Sequence, residues 1–331
     1  MARCMIIGGT GVISAPCVQA LLAADHLVTL IVRGTDRPTP VAAGVDMRRC
    51  DRHDTAALGK ALAAIRPQVV VDFACFTREQ AKGLVSSLPI GTRQLVFVST
   101  VDVYGLPLSR LPMRESDPWV APASAYAAEK RAVELHLRDA LSARGTALTI
   151  VRPTYSMGGG FMISLFDRSG AELVSRLRLG LPVVLPDDGT RSIHPSDARD
   201  TGRMIAMTVG DDAAFGKDYT VGTPYGAISQ SDYVTTIATA LGVAPVVLAV
   251  PGEALITGDV LHADSLWLEL TRNDLSYDLG RFTLDYPGFV PNPDLADAVR
   301  TYAARVPLGL IEGPEAHVCA VLRDQAKAAL P

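Results

Sequence analysis

The sequence has little of what would commit it to nucleic acid or to a membrane. Its 331 residues carry 31 Lys and Arg against 35 Asp and Glu, a net charge of −4, and no basic stripe stands out. Neither a phosphate backbone nor an anionic bilayer is therefore the expected main partner. No apolar run reaches the roughly 20 residues that a membrane helix needs. The opening MARCMIIGGTG meets glycines after a handful of residues, too short an apolar stretch for a secretory signal. Cys4, Cys17, Cys50, Cys75 and Cys319 are scattered without a C-x-x-C pair, which argues against a disulfide framework and for reduced thiols in a cytoplasmic protein. The 6 histidines lack H-x-x-x-H or Cys/His ligand spacing, so no metal site is expected. What is present is ordinary globular composition, 48% apolar and 20% charged, in a chain long enough for one large core or two.

Short apolar runs alternate with helical patterns through the first half. Strands are predicted at Cys4–Ile7, Val28–Val32, Val69–Phe73, Gln94–Ser99 and Leu148–Val151. Helices are predicted from Ile13 to Ala23, near Thr55–Ile65 and Arg78–Ser87, and over Ala125–Ala143, with a polar loop after Val32. This alternation predicts a doubly wound α/β fold, a parallel sheet covered on both faces. After Pro153 the order loosens: Leu181–Asp188 is turn-rich, with a strand at Asp218–Gly222 and a helix at Ser231–Leu241. We divide the chain into a dinucleotide-binding domain, 1–153, and a smaller α/β substrate lobe, 154–331, with part of about 190–225 returning to the first domain.

The first strand runs into I-I-G-G-T-G-V-I-S (Ile6–Ser14). This strand–glycine–helix context suits a dinucleotide: Gly8 permits the turn, and Gly11 lets a pyrophosphate approach the backbone at the helix N-terminus. A plain tight turn is the alternative. Ser14 stands where a third glycine is usual, which is expected to relax helix–strand packing without blocking binding. The second strand ends in Val32-Arg33-Gly34 rather than in an acid, with Arg37 nearby. A guanidinium there pairs with a 2′-phosphate, which leans toward NADP, or else stacks on adenine or is solvated. Asp51 is a candidate acceptor for the adenine amino group or a surface carboxylate.

Residues 124–130 read SAYAAEK, placing Lys130 one helical turn after Tyr126. A phenol with its ordinary pKa of about 10 is a poor base at neutral pH, and a nearby ammonium favours the phenolate. Together with V-F-V-S-T-V-D-V-Y-G (Val96–Gly105), V-R-P-T-Y (Val151–Tyr155), R-S-I-H-P-S-D (Arg191–Asp197) and D-L-S-Y-D-L-G-R-F (Asp274–Phe282), the chain resembles the extended short-chain dehydrogenase/reductase family, the NAD-dependent nucleotide-sugar epimerases and dehydratases. The resemblance runs over nearly the whole chain.

That resemblance implies a Rossmann-type enzyme on a sugar substrate. Tyr126 would be the acid–base group, Lys130 would bind the nicotinamide ribose and lower the tyrosine pKa, and the Thr100 hydroxyl would bridge substrate oxygen and phenolate. Cofactor contacts would come from Gly8, Thr10, Gly11, Val12, Ile13, Arg33, Asp51, Arg52, Ala74, Cys75, Tyr126, Lys130 and Pro153. Substrate contacts would come from Thr100, Tyr155 and Arg191, the last with a substrate phosphate. NAD is favoured by the epimerase resemblance and NADP by Arg33. A homodimer through the helices near Arg78–Ser87 and Ala125–Ala143 is expected by analogy.

One departure narrows the chemistry. The family's 4,6-dehydratases follow the threonine with Asp-Glu, whereas this chain reads Thr100-Val101-Asp102. Val101 cannot act as an acid, while Asp102 serves either as a base or only as a loop hydrogen-bonding group. Elimination is disfavoured. The leading expectation is an epimerase of a nucleotide sugar or nucleoside-like glycoside working through a transient ketone. The alternatives are a net NADP-dependent reductase or dehydrogenase, and a dinucleotide-binding sensor or RNA-binding protein without catalysis. His194 reads as a packed residue steadying the lobe, and Trp119 and Trp267 as core or as cover for a site mouth.

Overall fold

The computed structural model describes residues 1–34, 45–166, 170–257, 270–292 and 294–328; Arg37 and Trp267 lie outside them. Strands β1 (Arg3–Ile7), β2 (Leu27–Val32), β3 (Asp46–Arg49), β4 (Val69–Asp72), β5 (Gln94–Val98) and β6 (Ala147–Pro153) join the strand Asp218–Val221 in one sheet. All pairings in it are parallel, and its spatial order is Asp218–Val221, β6, β5, β4, β1, β2, β3. β1 thus sits where the strand order reverses, and the crevice above its carboxyl end is the usual ligand position in open α/β sheets.

Burial explains the apolar runs. β4 and β5 are buried at every position, because helices cover both faces of the sheet. Met5 and Ile7 point to one face, toward Leu58, Leu62, Leu84, Val133 and Leu137 of helices α2 (Thr55–Ile65), α3 (Arg78–Ser87) and α4 (Ala125–Ser142). Cys4 and Ile6 point to the other, toward Cys17, Leu21, Met204 and Ile205 of α1 (Ser14–Ala23) and of the helix Ala198–Met207. Those two helices meet closely because Gly202 lacks a side chain. A Cβ there would come within 2.7 Å of the Cys17 amide and the Pro16 ring. The small residue at the tight crossing is on the second helix, whereas the glycine loop carries Ser14.

Two stretches differ from the sequence expectation. The polar loop after Val32 contains β3, whose four residues are all exposed at the sheet edge. An edge strand of charged residues carries no apolar alternation to betray it. The turn-rich stretch Leu181–Asp188 contains a strand, Pro182–Pro186, paired in parallel with Val246–Val250. Its prolines stand at its two ends, which is why it reads as turn. This strand belongs to a separate apolar core that also takes Leu173, Val174, Tyr233, Ile237, Val299 and Val318.

Helix α4 begins at Ser124, whose hydroxyl accepts from the Ala127 amide at 3.1 Å, so SAYAAEK opens on its own cap. One turn beyond Lys130, Glu134 is fully buried and binds Arg152 of β6 in a bidentate pair at 3.0 and 2.6 Å. Arg152 also reaches Asp218 at 3.0 Å and the Tyr104 hydroxyl at 3.2 Å. Removing one member of a buried pair strands the other charge. Glu134→Ala is expected to lower the unfolding free energy by about 3 kcal/mol, read by urea denaturation; a loss below about 1 kcal/mol, the range of exposed pairs, would contradict the pinning role.

Candidate active site

The glycine loop leaves β1 at Gly8, which has φ +85°. A Cβ there would lie 3.1 Å from that of Ala74, in the turn after β4, so the loop presses against the neighbouring strand end and only glycine fits without strain. Ser14 does more than replace a glycine. Its hydroxyl accepts from the Gly11 amide and donates to the Gly8 carbonyl, both at 2.7 Å, so it ties the loop closed instead of loosening it. Among the described residues the Val12 and Ile13 amides have no acceptor, and they stand at the start of α1 with Thr10 in the loop before them. Unpaired amides on a helix dipole fit a pyrophosphate.

At the far end of this crevice Arg33 is exposed directly after β2. Register pairs Val32 with Arg49 of β3, and the Arg49 guanidinium donates to the Gly34 carbonyl at 2.9 Å. Two guanidiniums therefore flank the end of β2. Arg49 was missed at the sequence level because the strand carrying it has no apolar signal. Asp51 is exposed, and its carboxylate accepts from the His53 amide at 3.0 Å. The Arg52 side chain is committed elsewhere: it is buried and binds both Asp72 oxygens at 3.0 Å and the Gln80 carbonyl at 3.2 Å. Asp72 in turn accepts from the Ala74 amide at 2.8 Å.

Lys130 reaches from α4 to the carboxyl ends of two strands. Its ammonium donates to the Val98 carbonyl at 2.7 Å and the Cys75 carbonyl at 3.0 Å, and lies 4.6 Å from the Phe97 ring centroid. Burial pulls its pKa down to about 8. Burial also pushes the Cys75 thiol up to about 12, which leaves it inert. Tyr126 sits one turn earlier on α4, partly exposed. Thr100 lies two residues past β5 and caps the following 3₁₀ turn, its hydroxyl accepting from the Asp102 amide at 3.2 Å. Its O–H proton stays free to donate.

Beyond them a narrow recess is lined by Val101, Asp102, Gly105, Leu106, Ala123, Tyr155, Leu270 and Tyr277. The Tyr155 hydroxyl donates to Asp102 at 3.0 Å and lies 3.4 Å from that of Tyr277. Burial, reinforced by the Asp102 charge, pushes both phenols above their ordinary value, so both remain neutral donors. Tyr277 lies within a motif quoted from the sequence, where nothing marked it as a site residue. His194 steadies it: the ring accepts from the Tyr277 amide at 3.2 Å, and burial lowers the histidine to about 4. Trp119 packs between the guanidiniums of Arg131 and Arg152, at 5.0 and 5.3 Å, as core. Pro153 ends β6.

Arg191 lies apart from this recess, in an open cleft of about 510 Å³ with Asp187, Asp188, Thr190 and Asp274. Its guanidinium stands 3.9 Å from Asp187 and 3.8 Å from Asp274. Among the described residues no group of His, Cys, Asp and Glu could hold a metal ion, and no helix is long and apolar enough to cross a membrane.

A doubly wound sheet with a glycine loop at its switch point defines a dinucleotide-binding α/β protein. The chain belongs to the NAD dependent epimerase/dehydratase family, whose profile matches residues 4–222. It is 30% identical over 216 residues to the 2'-dehydrokanamycin reductase of Streptomyces kanamyceticus; the match takes in 65% of this chain and spans 60% of that relative's length. A putative epimerase from Burkholderia cenocepacia shares the fold with a TM-score of 0.73 at 22% identity, over 92% of this chain and 97% of that one. UDP-glucose 4-epimerase of Thermus thermophilus, solved in complex with NAD, gives 0.69 at 21% identity over 92% and 98%.

The lowered Lys130 pKa has a thermodynamic consequence. Between about pH 8 and the ordinary value of 10.5 the unfolded chain binds the extra proton, so the contribution of this site to stability rises with pH. Below pH 8 the cost of the buried charge is fully present. The unfolding free energy of the wild type minus that of Lys130→Met is expected to climb by about 1–3 kcal/mol across this window. A difference that stays flat would contradict a charged, desolvated amine.

Proposed function

We propose that the protein is an NADP-dependent reductase of a sugar-like ketone. The observation that carries this reading is the pair of guanidiniums, Arg33 and Arg49, at the end of β2, where no carboxylate stands among the described residues to hold a free ribose diol. Two cations at that point match the charge and planarity of a 2′-phosphate. They favour NADP over NAD and, with it, net reduction over an epimerase that keeps its dinucleotide. The name of the relative from Streptomyces kanamyceticus, a reductase, supports the same direction.

Each residue then has a task. Val12 and Ile13 offer amides to the pyrophosphate, and Lys130 spans the Cys75 and Val98 carbonyls with a third N–H left for the nicotinamide ribose. The bound dinucleotide supplies the hydride that the ketone carbon accepts. Tyr126 gives its phenolic proton to the ketone oxygen, and Thr100 donates to the same oxygen and holds it in line. The phenolate left on Tyr126 is favoured by the Lys130 charge until water returns the proton. Asp102 accepts from the Tyr155 hydroxyl at 3.0 Å and takes no part in moving the transferred proton. The reverse step uses the same groups, so an epimerase would differ in retaining its dinucleotide and in letting the transient ketone turn, so that hydride returns to its other face. A homodimer through α3 and α4 would be held by polar contacts, since Leu135 is the only large apolar side chain exposed on those helices.

Kinetics with both dinucleotides test this reading. Replacing Arg33 and Arg49 together by Ala should raise the KM for NADPH by roughly tenfold or more, the loss of one or two charge-assisted hydrogen bonds, and leave that for NADH nearly unchanged. Tyr126→Phe should cut kcat by about 10²-fold or more without weakening NADPH binding. Equal losses toward both dinucleotides, or wild-type protein that releases NAD only on denaturation, would contradict it.

A further inference from the structure

Lys130 is gripped in the same way by the ends of two neighbouring strands. On β5 the Val98 carbonyl accepts one N–H, and Phe97, the residue before it, sets its ring centroid 4.6 Å from the ammonium. After β4 the Cys75 carbonyl accepts a second, and Phe76, the residue after it, sets its ring centroid 5.2 Å away. Both distances lie within the range of about 6 Å over which a ring face attracts a cation. The two rings differ in one respect. Phe97 is fully buried, whereas Phe76 is 46% exposed although the ammonium beside it is 1% exposed. The surface that Phe76 shows to solvent is therefore not the part turned to Lys130. Nor does that exposure mark a loose turn. The Phe76 amide donates to the Gln80 side chain at 2.6 Å, and Gln80 completes a capping box with Thr77 at the start of α3. The Gln80 carbonyl accepts from Arg52, Arg52 binds Asp72, and Asp72 takes the Ala74 amide. The Arg78 amide donates to Glu129 of α4 at 3.2 Å. A half-exposed ring on a turn tied at both ends, at the carboxyl end of the sheet, is a preformed contact surface.

We propose that Phe76 is a specificity residue of the dinucleotide crevice: one part of its ring holds the Lys130 ammonium, and the exposed part packs against the nicotinamide riboside. The proposal rests on the hydride-transfer reading above and adds the residue that walls its nicotinamide end. A ribose hydroxyl taking the remaining Lys130 N–H at about 3 Å comes beside the same ring, because that ring already lies against the nitrogen. Sugar carbons and an aromatic nicotinamide both pack on a phenyl face. The ring has an electrical effect as well. Its negative face favours the charged amine, opposing the burial that pulls Lys130 down. The titratable groups acting on the amine are Cys75 and Asp72 on the β4 side and Glu134 on α4, which favour the ammonium, and Arg52, which opposes it. Phe76 thus helps to keep charged the group that favours the Tyr126 phenolate.

Two measurements on the full-length protein test the two contacts, and at a half-exposed position each variant is expected to fold. Nitrogen-15 NMR of the unliganded protein reads the ammonium. Phe76→Leu keeps apolar cover but removes the ring face, so the Lys130 titration should move down by about one pH unit. Phe76→Tyr should restore it. A Lys130 titration that is the same in Phe76→Leu as in the wild type would overturn the contact with the ammonium. Isothermal titration reads the ligand. Phe76→Ala should weaken NADPH binding roughly tenfold and leave unchanged that of adenosine 2′,5′-bisphosphate, the half of the cofactor without nicotinamide. Equal weakening of both, or of neither, would overturn the wall. Failure of the wild type to bind either probe would overturn the dinucleotide reading and the ligand of this wall with it. The NMR result is read without ligand, so it decides the contact between ring and ammonium independently of that outcome.

Discussion

A buried ammonium held by two main-chain carbonyls is the constraint around which the site is organised. Lys130 is 1% exposed, and burial of a lone charge is expensive unless its protons are spoken for. Two of them are: the Cys75 and Val98 carbonyls lie at the carboxyl ends of β4 and β5, in the crevice that the sheet topology opens. One side chain thereby fixes the distance between α4 and two strand ends. Shifting α4 by a turn would cost both hydrogen bonds and strand the charge. Glu134 and Arg152 hold the next turn against β6, so the helix carrying Tyr126 is positioned by charge pairing at one turn and by the ammonium at the other.

Charge is partitioned along the crevice. The guanidiniums of Arg33 and Arg49 stand where the second strand ends, the Val12 and Ile13 amides sit at the start of α1, and the Lys130 ammonium lies at the ends of β4 and β5. On the reading proposed above, a dinucleotide would lie along the cationic end of that crevice, with Tyr126 one turn before Lys130. Cations at that end would steer the dinucleotide phosphates before any contact forms. Val101, beside Thr100, is apolar and 1% exposed, and it walls the recess.

Much of this was legible in the residue order. The glycine loop, the strands at β1, β4 and β5, the helices Thr55–Ile65 and Arg78–Ser87, and the Tyr126–Lys130 spacing all follow from local pattern, because buried strands and capped helices write their periodicity into sequence. The parts that were not legible share a cause. β3 is exposed at all four positions and three of them are charged, so Arg49 could be paired with Val32 only once the register was known. The role of Ser14 depends on a hydroxyl reaching back six residues to Gly8. Arg52 was expected among the cofactor contacts but is drawn under the surface by Asp72, a partner 20 positions away. Tyr277 joins Tyr155 across 122 positions. Long-range pairing of polar groups leaves no local signature, and the substrate side of the molecule is built almost wholly from such pairs.

The most direct test of the account is the titration of the Lys130 side-chain nitrogen itself, followed by nitrogen-15 NMR of labelled protein with Lys130→Met to assign the signal. The account predicts a resonance that titrates near pH 8, well below the exposed lysines at about 10.4. A Lys130 signal that titrates with the exposed lysines would contradict it, since the amine would then be in water and could neither hold the two strand ends nor favour the phenolate.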